Sequence, residues 1–92
     1  DNKSTFFALQ IKFRTTSEHG VIVATSANHH SDLLELALNR GRLKLRLNFG
    51  EQDYYYVWGE NLSNGKWHVA RVKRRGDKIW LYLDGIEDRI PR

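Results

Sequence analysis

The sequence predicts an all-β fold, an antiparallel sandwich or barrel, on three observations. Apolar and polar residues alternate with period two along most of the chain, turn-forming residues interrupt that alternation at intervals of roughly 8–12 residues, and no stretch carries a convincing amphipathic helix pattern. Size sets the scale. A chain of 92 residues has room for one small core, because at that length only roughly 60–65% of the unfolded surface is buried on folding. With 40% hydrophobic residues and eleven aromatics, the chain is too apolar to remain disordered.

Each element follows in order. Phe7, Leu9, Ile11 and Phe13 alternate with Ala8, Gln10, Lys12 and Arg14, the signature of a half-buried strand. Thr15 to Gly20 is a turn of small polar residues ending in glycine. Val21-Ile22-Val23-Ala24-Thr25 is β-branched or small throughout and reads as a strand covered on both faces. Ser26 to Ser31 is a polar loop holding His29 and His30. Asp32 to Leu38 has good helix propensity, but it is short for a helix and Leu34, Leu36 and Leu38 alternate, so a strand is expected. After a tight connection at Asn39-Arg40-Gly41, Leu43, Leu45, Leu47 and Phe49 alternate strictly with Arg42, Lys44, Arg46 and Asn48. Gly50 to Asp53 turns the chain into the aromatic strand Tyr54 to Trp58, and Ser63 to Lys66 turns it into a strand over Trp67 to Arg74. A last turn at Arg75-Gly76-Asp77 leads to the strand Ile79 to Leu83, closed by Asp84-Gly85. No repeat, linker or low-complexity tract interrupts this order.

Composition removes several classes of function. The chain has no cysteine, which rules out a disulfide framework, a zinc finger and a thiol nucleophile within it, without fixing a compartment. The longest apolar runs, such as Val21 to Ala24 and Leu36 to Leu38, fall far short of the roughly 18 residues a membrane-spanning helix requires; a soluble segment without a leader is expected. The formal charge of +4 is uneven: residues 1–38 carry three basic against four acidic side chains, and residues 39–92 carry twelve against seven. The second half is therefore the place to expect a polyanionic partner.

A set of motifs then narrows the class. Phe13-Arg14-Thr15-Thr16-Ser17-Glu18-His19-Gly20-Val21-Ile22, Asp32-Leu33-Leu34-Glu35-Leu36, Gly41-Arg42-Leu43 with Asn48-Phe49-Gly50, Asn64-Gly65-Lys66-Trp67-His68 and Leu83-Asp84-Gly85 resemble a laminin G-like domain of the neurexin type. They occur in that family's order and spacing and cover nearly the whole chain. The resemblance implies a twisted jelly-roll β-sandwich of the concanavalin and laminin G class. It also implies a cell-adhesion or matrix interaction module without enzymatic activity, extracellular, either secreted or part of the ectodomain of a membrane protein. Family domains are roughly twice as long and usually end in a cysteine pair, so residues 1–92 read as one partial domain, its N-terminal half. Such a piece exposes sheet faces and edges that a complementing chain or a second copy would cover.

The resemblance also implies a calcium site at one rim of the sandwich. Two ligands carry over onto this chain, the carboxylate of Asp32 and the backbone carbonyl of Phe49; the others fall outside it, so the ion would be held weakly. Oxygen donors at a hairpin end suit a hard cation, and in this reading the ordered rim presents a surface to a cell-surface protein or glycosylated receptor. The alternative for Asp32 is a turn residue bonding its own backbone.

A second candidate site is cationic. Arg42, Lys44 and Arg46 share one face of a strand, as do Arg71, Lys73 and Arg75 further on, with Arg74 and Lys78 nearby. Rows of cations on a sheet can follow an anionic polymer, and the resemblance points to heparan sulfate or heparin. The bland alternative is a solvated face that keeps strand edges soluble. A single-stranded nucleic-acid reader would use Tyr54, Tyr55, Tyr56 and Trp58 as stacking platforms. No corresponding RNA-binding motif accompanies them, and Trp58, Trp67 and Trp80 read more simply as core, so no nucleic-acid partner is expected. His68 reads as a hydrogen-bonded structural imidazole, because no serine or carboxylate sits at a catalytic motif spacing from it. Asn2-Lys3-Ser4 and Asn61-Leu62-Ser63 fit the N-glycosylation pattern, and Arg75-Gly76-Asp77 reads as an ordinary hairpin turn.

Overall fold

The computed structural model describes residues 6–26, 33–49 and 52–88. Within them are eight strands: β1 (Phe6–Arg14), β2 (His19–Ser26), β3 (Leu33–Asn39), β4 (Arg42–Phe49), β5 (Gln52–Trp58), β6 (Trp67–Arg75), β7 (Lys78–Leu83) and β8 (Ile86–Asp88). They form two four-stranded antiparallel sheets, ordered β1-β6-β7-β8 and β2-β3-β4-β5. The all-β, antiparallel class is as expected, and Leu33–Asn39 is a strand despite its helix propensity. The short strand β8 goes beyond the sequence reading, which closed the chain's last strand at Asp84-Gly85.

The chain divides into two compact units, residues 15–66 and residues 1–14 with 67–92. The first contains the meander β2-β3-β4-β5. Its register lines up three cross-strand rows: Leu38, Leu43 and Trp58; Leu36, Leu45 and Tyr56; Leu34, Leu47 and Tyr54. Leu36, Leu43 and Leu45 are fully buried and Trp58 nearly so. Each such leucine contributes roughly 1.5–3 kcal/mol by leaving water, so this leucine face drives the unit's folding. The strict alternation of β4 puts all three of its leucines on that face and its cations on the other.

β2 corrects an expectation. Its apolar run is not covered on both faces, for Val21 is 61% exposed. Among the described residues the strand stands at the end of its sheet order and pairs only with β3, through a bulge between Val21 and Val23. Its β-branched residues thus reflect the needs of an extended backbone and not of double burial.

The hairpin between β3 and β4 turns on Arg40 (φ 56°) and Gly41 (φ 75°), two consecutive left-handed residues as a type I′ turn demands. The connection from β5 to β6 lies over this turn. Arg42 Nε donates to the Gly59 carbonyl at 2.8 Å, Leu62 N–H to the Gly41 carbonyl at 2.9 Å, Ser63 Oγ to the Ser17 carbonyl at 2.6 Å, and Gly65 N–H to the Thr15 carbonyl at 2.9 Å. Leu62, 3% exposed, anchors the middle of that loop.

The second unit joins strands distant in sequence. β1 pairs with β6 along its full length, from Phe6 opposite Arg75 to Arg14 opposite Trp67. β6 and β7 are joined through Gly76 (φ 60°), whose position suits a type II′ turn, and β7 and β8 through Asp84 (φ 52°) and Gly85 (φ 84°). One face of this sheet buries Ala70, Val72 and Leu81, flanked by half-buried Leu9 and Ile11 of β1. The opposite face is the functional candidate.

Candidate functional site

Period two sends Phe6, Ala8, Gln10, Lys12 and Arg14 of β1 to one side of the sheet. The register sets beside them Trp67, Val69, Arg71, Lys73 and Arg75 of β6, then Lys78, Trp80 and Tyr82 of β7. Cations and aromatic rings are interleaved on this face. Lys12 Nζ lies 4.9 Å and the Arg14 guanidinium 5.0 Å from the ring centre of Trp67. Lys73 Nζ is 4.8 Å from the Trp80 ring and 5.8 Å from Tyr82, which Arg71 also approaches at 5.4 Å. Arg75 lies 5.3 Å from the Phe6 ring.

Each such contact contributes about 0.5–1 kcal/mol at an exposed site. It also holds a long, flexible side chain over a flat ring. Trp67 remains 55% exposed and Phe6 50% exposed, so the face offers water both fixed positive charge and aromatic surface. That pairing can take a ligand that is anionic and has apolar faces of its own.

A groove of about 470 Å³ on the same sheet is lined by Gln10, Val69, Arg71, Tyr82, Asp84 and Gly85. Its acidic member is held in place. Asp84 Oδ2 is 2.8 Å from His68 Nδ1, and Asp84 Oδ1 accepts from Val69 N–H at 2.8 Å. Asp84 N–H in turn donates to the Val69 carbonyl at 2.8 Å. Burial alone would raise the Asp84 pKa, but the hydrogen bonds from His68 and Val69 and the charge on His68 together carry it below its usual value. His68, also 5.8 Å centre to centre from the Phe13 ring, is thus a hydrogen-bonded structural imidazole.

The structure sorts the predicted cations. Arg71, Lys73 and Arg75 lie on the aromatic face. Arg74 does not: it is 6% exposed, and its Nε donates to the Gly76 carbonyl at 2.7 Å. Its parity puts it on the buried side with Val72, so its assignment to a glycan surface is corrected. Arg42, Lys44 and Arg46 lie on β4 of the other sheet. There Arg42 Nε is taken by Gly59, and Arg46 is 4.0 Å from Glu35. Lys44 is half-buried between Ala37 and Val57.

Sequence reasoning missed Lys12, Arg14 and the exposed rings. Trp67 and Trp80 were expected in the core, yet of the three tryptophans only Trp58 is buried. The signal available was parity, since Trp67 and Trp80 alternate in phase with Arg71 and Lys73. Tyr54 and Tyr56 stack at 6.3 Å on the half-buried side of β5 while Tyr55 is exposed, so the tyrosines do not form one continuous platform.

Asp32, Asn2, His29 and His30 lie outside the described residues. Phe49 ends β4 opposite Gln52. Next to it, Asn48 Nδ2 donates to Asp53 Oδ1 at 2.6 Å, and the buried Asn48 Oδ1 has no partner among the described residues. The donor set at this end of the sheet, a carbonyl, an amide oxygen and a carboxylate, is all oxygen and fits calcium in kind. Among the described residues no group of three or more His, Cys, Asp or Glu could hold a metal.

The two antiparallel sheets define an all-β protein. The sequence pattern of the Laminin G domain family matches residues 13–91, and the chain belongs to that family. Laminin G domains are binding modules and not enzymes. Relatives include "Putative neural-cadherin 2" of Drosophila melanogaster, 34% identical over 85 residues, 88% of this chain and 5% of that protein. "Neurexin 1" of the same organism is 32% identical over 78 residues, 85% and 4% of the two chains. "Sex hormone-binding globulin" of Rattus norvegicus is 33% identical over 76 residues, 83% and 19%. The chain thus spans a small part of each of these relatives. Among solved structures, domains LG4-5 of the mouse laminin alpha1 chain superpose with a TM-score of 0.83 at 26% identity, over 97% of this chain and 24% of that one. Neurexin, cadherin and laminin relatives are extracellular proteins or ectodomains, and no described helix is long and apolar enough to cross a membrane.

Proposed function

We propose that this domain is an extracellular interaction module whose β1-β6-β7 face binds a sulfated, acidic glycan of the heparan sulfate type on a cell-surface or matrix partner. The observation that carries this reading is the interleaving of cations with exposed rings, above all Trp67 with Lys12 and Arg14. Sulfate and carboxylate groups would meet Lys12, Arg14, Arg71, Lys73 and Arg75, while pyranose faces would lie against Trp67 and Trp80. The β4 row contributes less in this reading, because Arg42 and Arg46 already have protein partners.

Chromatography on immobilised heparin tests it. Retention should exceed that on a simple cation exchanger of equal charge density, and Lys73→Ala should lower it more than Lys44→Ala. Equal retention on both matrices, or preference for single-stranded oligonucleotides over heparin, would sink the proposal.

A second reading is a calcium-ordered rim that presents a protein-binding surface, with Asp32 and the Phe49 carbonyl as ligands. The buried Asn48 Oδ1 beside Asp53, without a partner among the described residues, favours it. A bound ion would supply fixed positive charge and order the strand ends, and it would raise the melting temperature in proportion to ln(1 + [Ca²⁺]/Kd). A calcium titration that leaves the melting temperature unchanged in the millimolar range, or a response surviving in Asp32→Ala, would count against the rim.

A further inference from the structure

The connection between β5 and β6 carries the triplet Asn61-Leu62-Ser63, and the structure bears on whether and when it is used. Asn61 is exposed and sits at φ 58°, a left-handed conformation that asparagine tolerates better than most residues. Its side chain can therefore carry a bulky group directed into solvent. The other two members of the triplet are engaged. Leu62 is 3% exposed, and its N–H donates to the Gly41 carbonyl. Ser63 Oγ donates to the Ser17 carbonyl at 2.6 Å.

An N-glycosylation acceptor is read through its hydroxyl residue two positions on as well as through the asparagine. In the folded loop that hydroxyl is bonded inward and the intervening residue is buried. We propose that Asn61 carries an N-linked glycan, attached during synthesis before the loop closes over the Arg40-Gly41 turn. The transfer joins Asn61 Nδ2 to the anomeric carbon of an oligosaccharide supplied by a lipid diphosphate-linked donor. The bond from that carbon to the diphosphate oxygen breaks, the lipid diphosphate leaves, and the amide nitrogen gives up one proton to a base of the transferase. Once folding follows, Leu62 and Ser63 take their places and the glycan stays outside. The proposal is independent of which ligand the β1-β6-β7 face binds.

The test is expression of the full chain behind a secretion leader in mammalian cells. Peptide mass spectrometry then compares samples before and after an amidase that removes N-glycans, in the secreted and the retained pools. Asn61 should be occupied in both pools, lost in Asn61→Gln and Ser63→Ala, and kept in Ser63→Thr. Because occupancy is read in both pools, a variant that fails to fold still reports. An unmodified Asn61 in both pools, or one modified only in the retained pool, would overturn the assignment. For the timing, unglycosylated chain made in bacteria and folded is given purified oligosaccharyl transferase with its lipid-linked donor. No transfer to Asn61 is expected, and transfer as complete as that during synthesis would overturn the order of events.

Discussion

His68 Nδ1 and Asp84 Oδ2 stand 2.8 Å apart, joining the start of β6 to the turn that ends β7. The imidazole side chain is 11% exposed and the carboxylate 44%. The pair is therefore sheltered at one end and wet at the other. Asp84 also accepts from Val69 N–H, and its folded pKa lies below the ordinary 3.8. A depressed carboxylate stabilises the fold above its unfolded pKa, and that contribution drains away as pH falls through the lower folded value. Urea unfolding should show stability declining below pH 3.8, with the decline smaller in Asp84→Asn. Asp84→Ala should cost about 1–3 kcal/mol at neutral pH by stranding the Val69 N–H and removing the carboxylate bonded to His68. A pH profile identical in wild type and Asp84→Asn would refute the linkage.

Neighbouring cations on β6 should separate binding from folding. Lys73→Ala and Trp67→Ala remove a half-buried cation and an exposed ring from the aromatic face and should shift heparin elution to lower salt, with stability changed by no more than about 1 kcal/mol. Arg74→Ala removes a buried guanidinium and should cost about 1–3 kcal/mol while leaving elution of the folded fraction unchanged. Denaturant melts and column elution on the same three proteins decide this.

Turn strain at the β3–β4 hairpin should be relievable. Arg40 occupies φ 56°, a region that costs an ordinary side chain roughly 1–2 kcal/mol and asparagine less. Arg40→Asn should therefore raise stability by about 0.5–1 kcal/mol. Gly41→Ala should lower it by a comparable amount, through φ 75° and not through collision. A Cβ there would meet only ordinary contacts, Ser63 Oγ at 3.7 Å and Leu62 N at 3.8 Å. Thermal melts of the two variants should move in opposite directions.

The leucine rows of β3 and β4 should dominate the stability of their unit. Leu45→Ala, at a fully buried position, should cost about 2–5 kcal/mol through lost transfer energy and a residual cavity. Val21→Ala, on the exposed strand β2, should stay within about 0.5 kcal/mol. Similar losses at both positions would mean that β2 is covered in solution.

Much of the fold is legible along the chain because strands obey a local rule. Alternating leucines and cations in β4, and the turn signals at Gly41, Gly76 and Gly85, fix where strands run and which residues share a side of each strand. The same rule misled at Val21 to Thr25, where a wholly apolar run stood for double burial although the strand is at its sheet's end. The candidate site was half legible: Arg71, Lys73 and Arg75 were visible as one row, but Lys12, Arg14 and the rings that face them were not. Arg74 entered the set only because it is adjacent in sequence.

By itself, then, the sequence determined the all-β class, the order and phase of the strands and, through its motifs, the Laminin G family. Only the tertiary structure decided which strands are neighbours. β1 meets β6 across the whole span of the other unit, pairing Phe13 with His68 and Arg14 with Trp67. That pairing turns scattered cations and tryptophans into one surface while leaving the β4 cations on a separate sheet. The physical reason is that side-chain phase is set within three or four residues of backbone, whereas partner choice depends on hydrogen bonds and burial between distant segments, which no local pattern encodes.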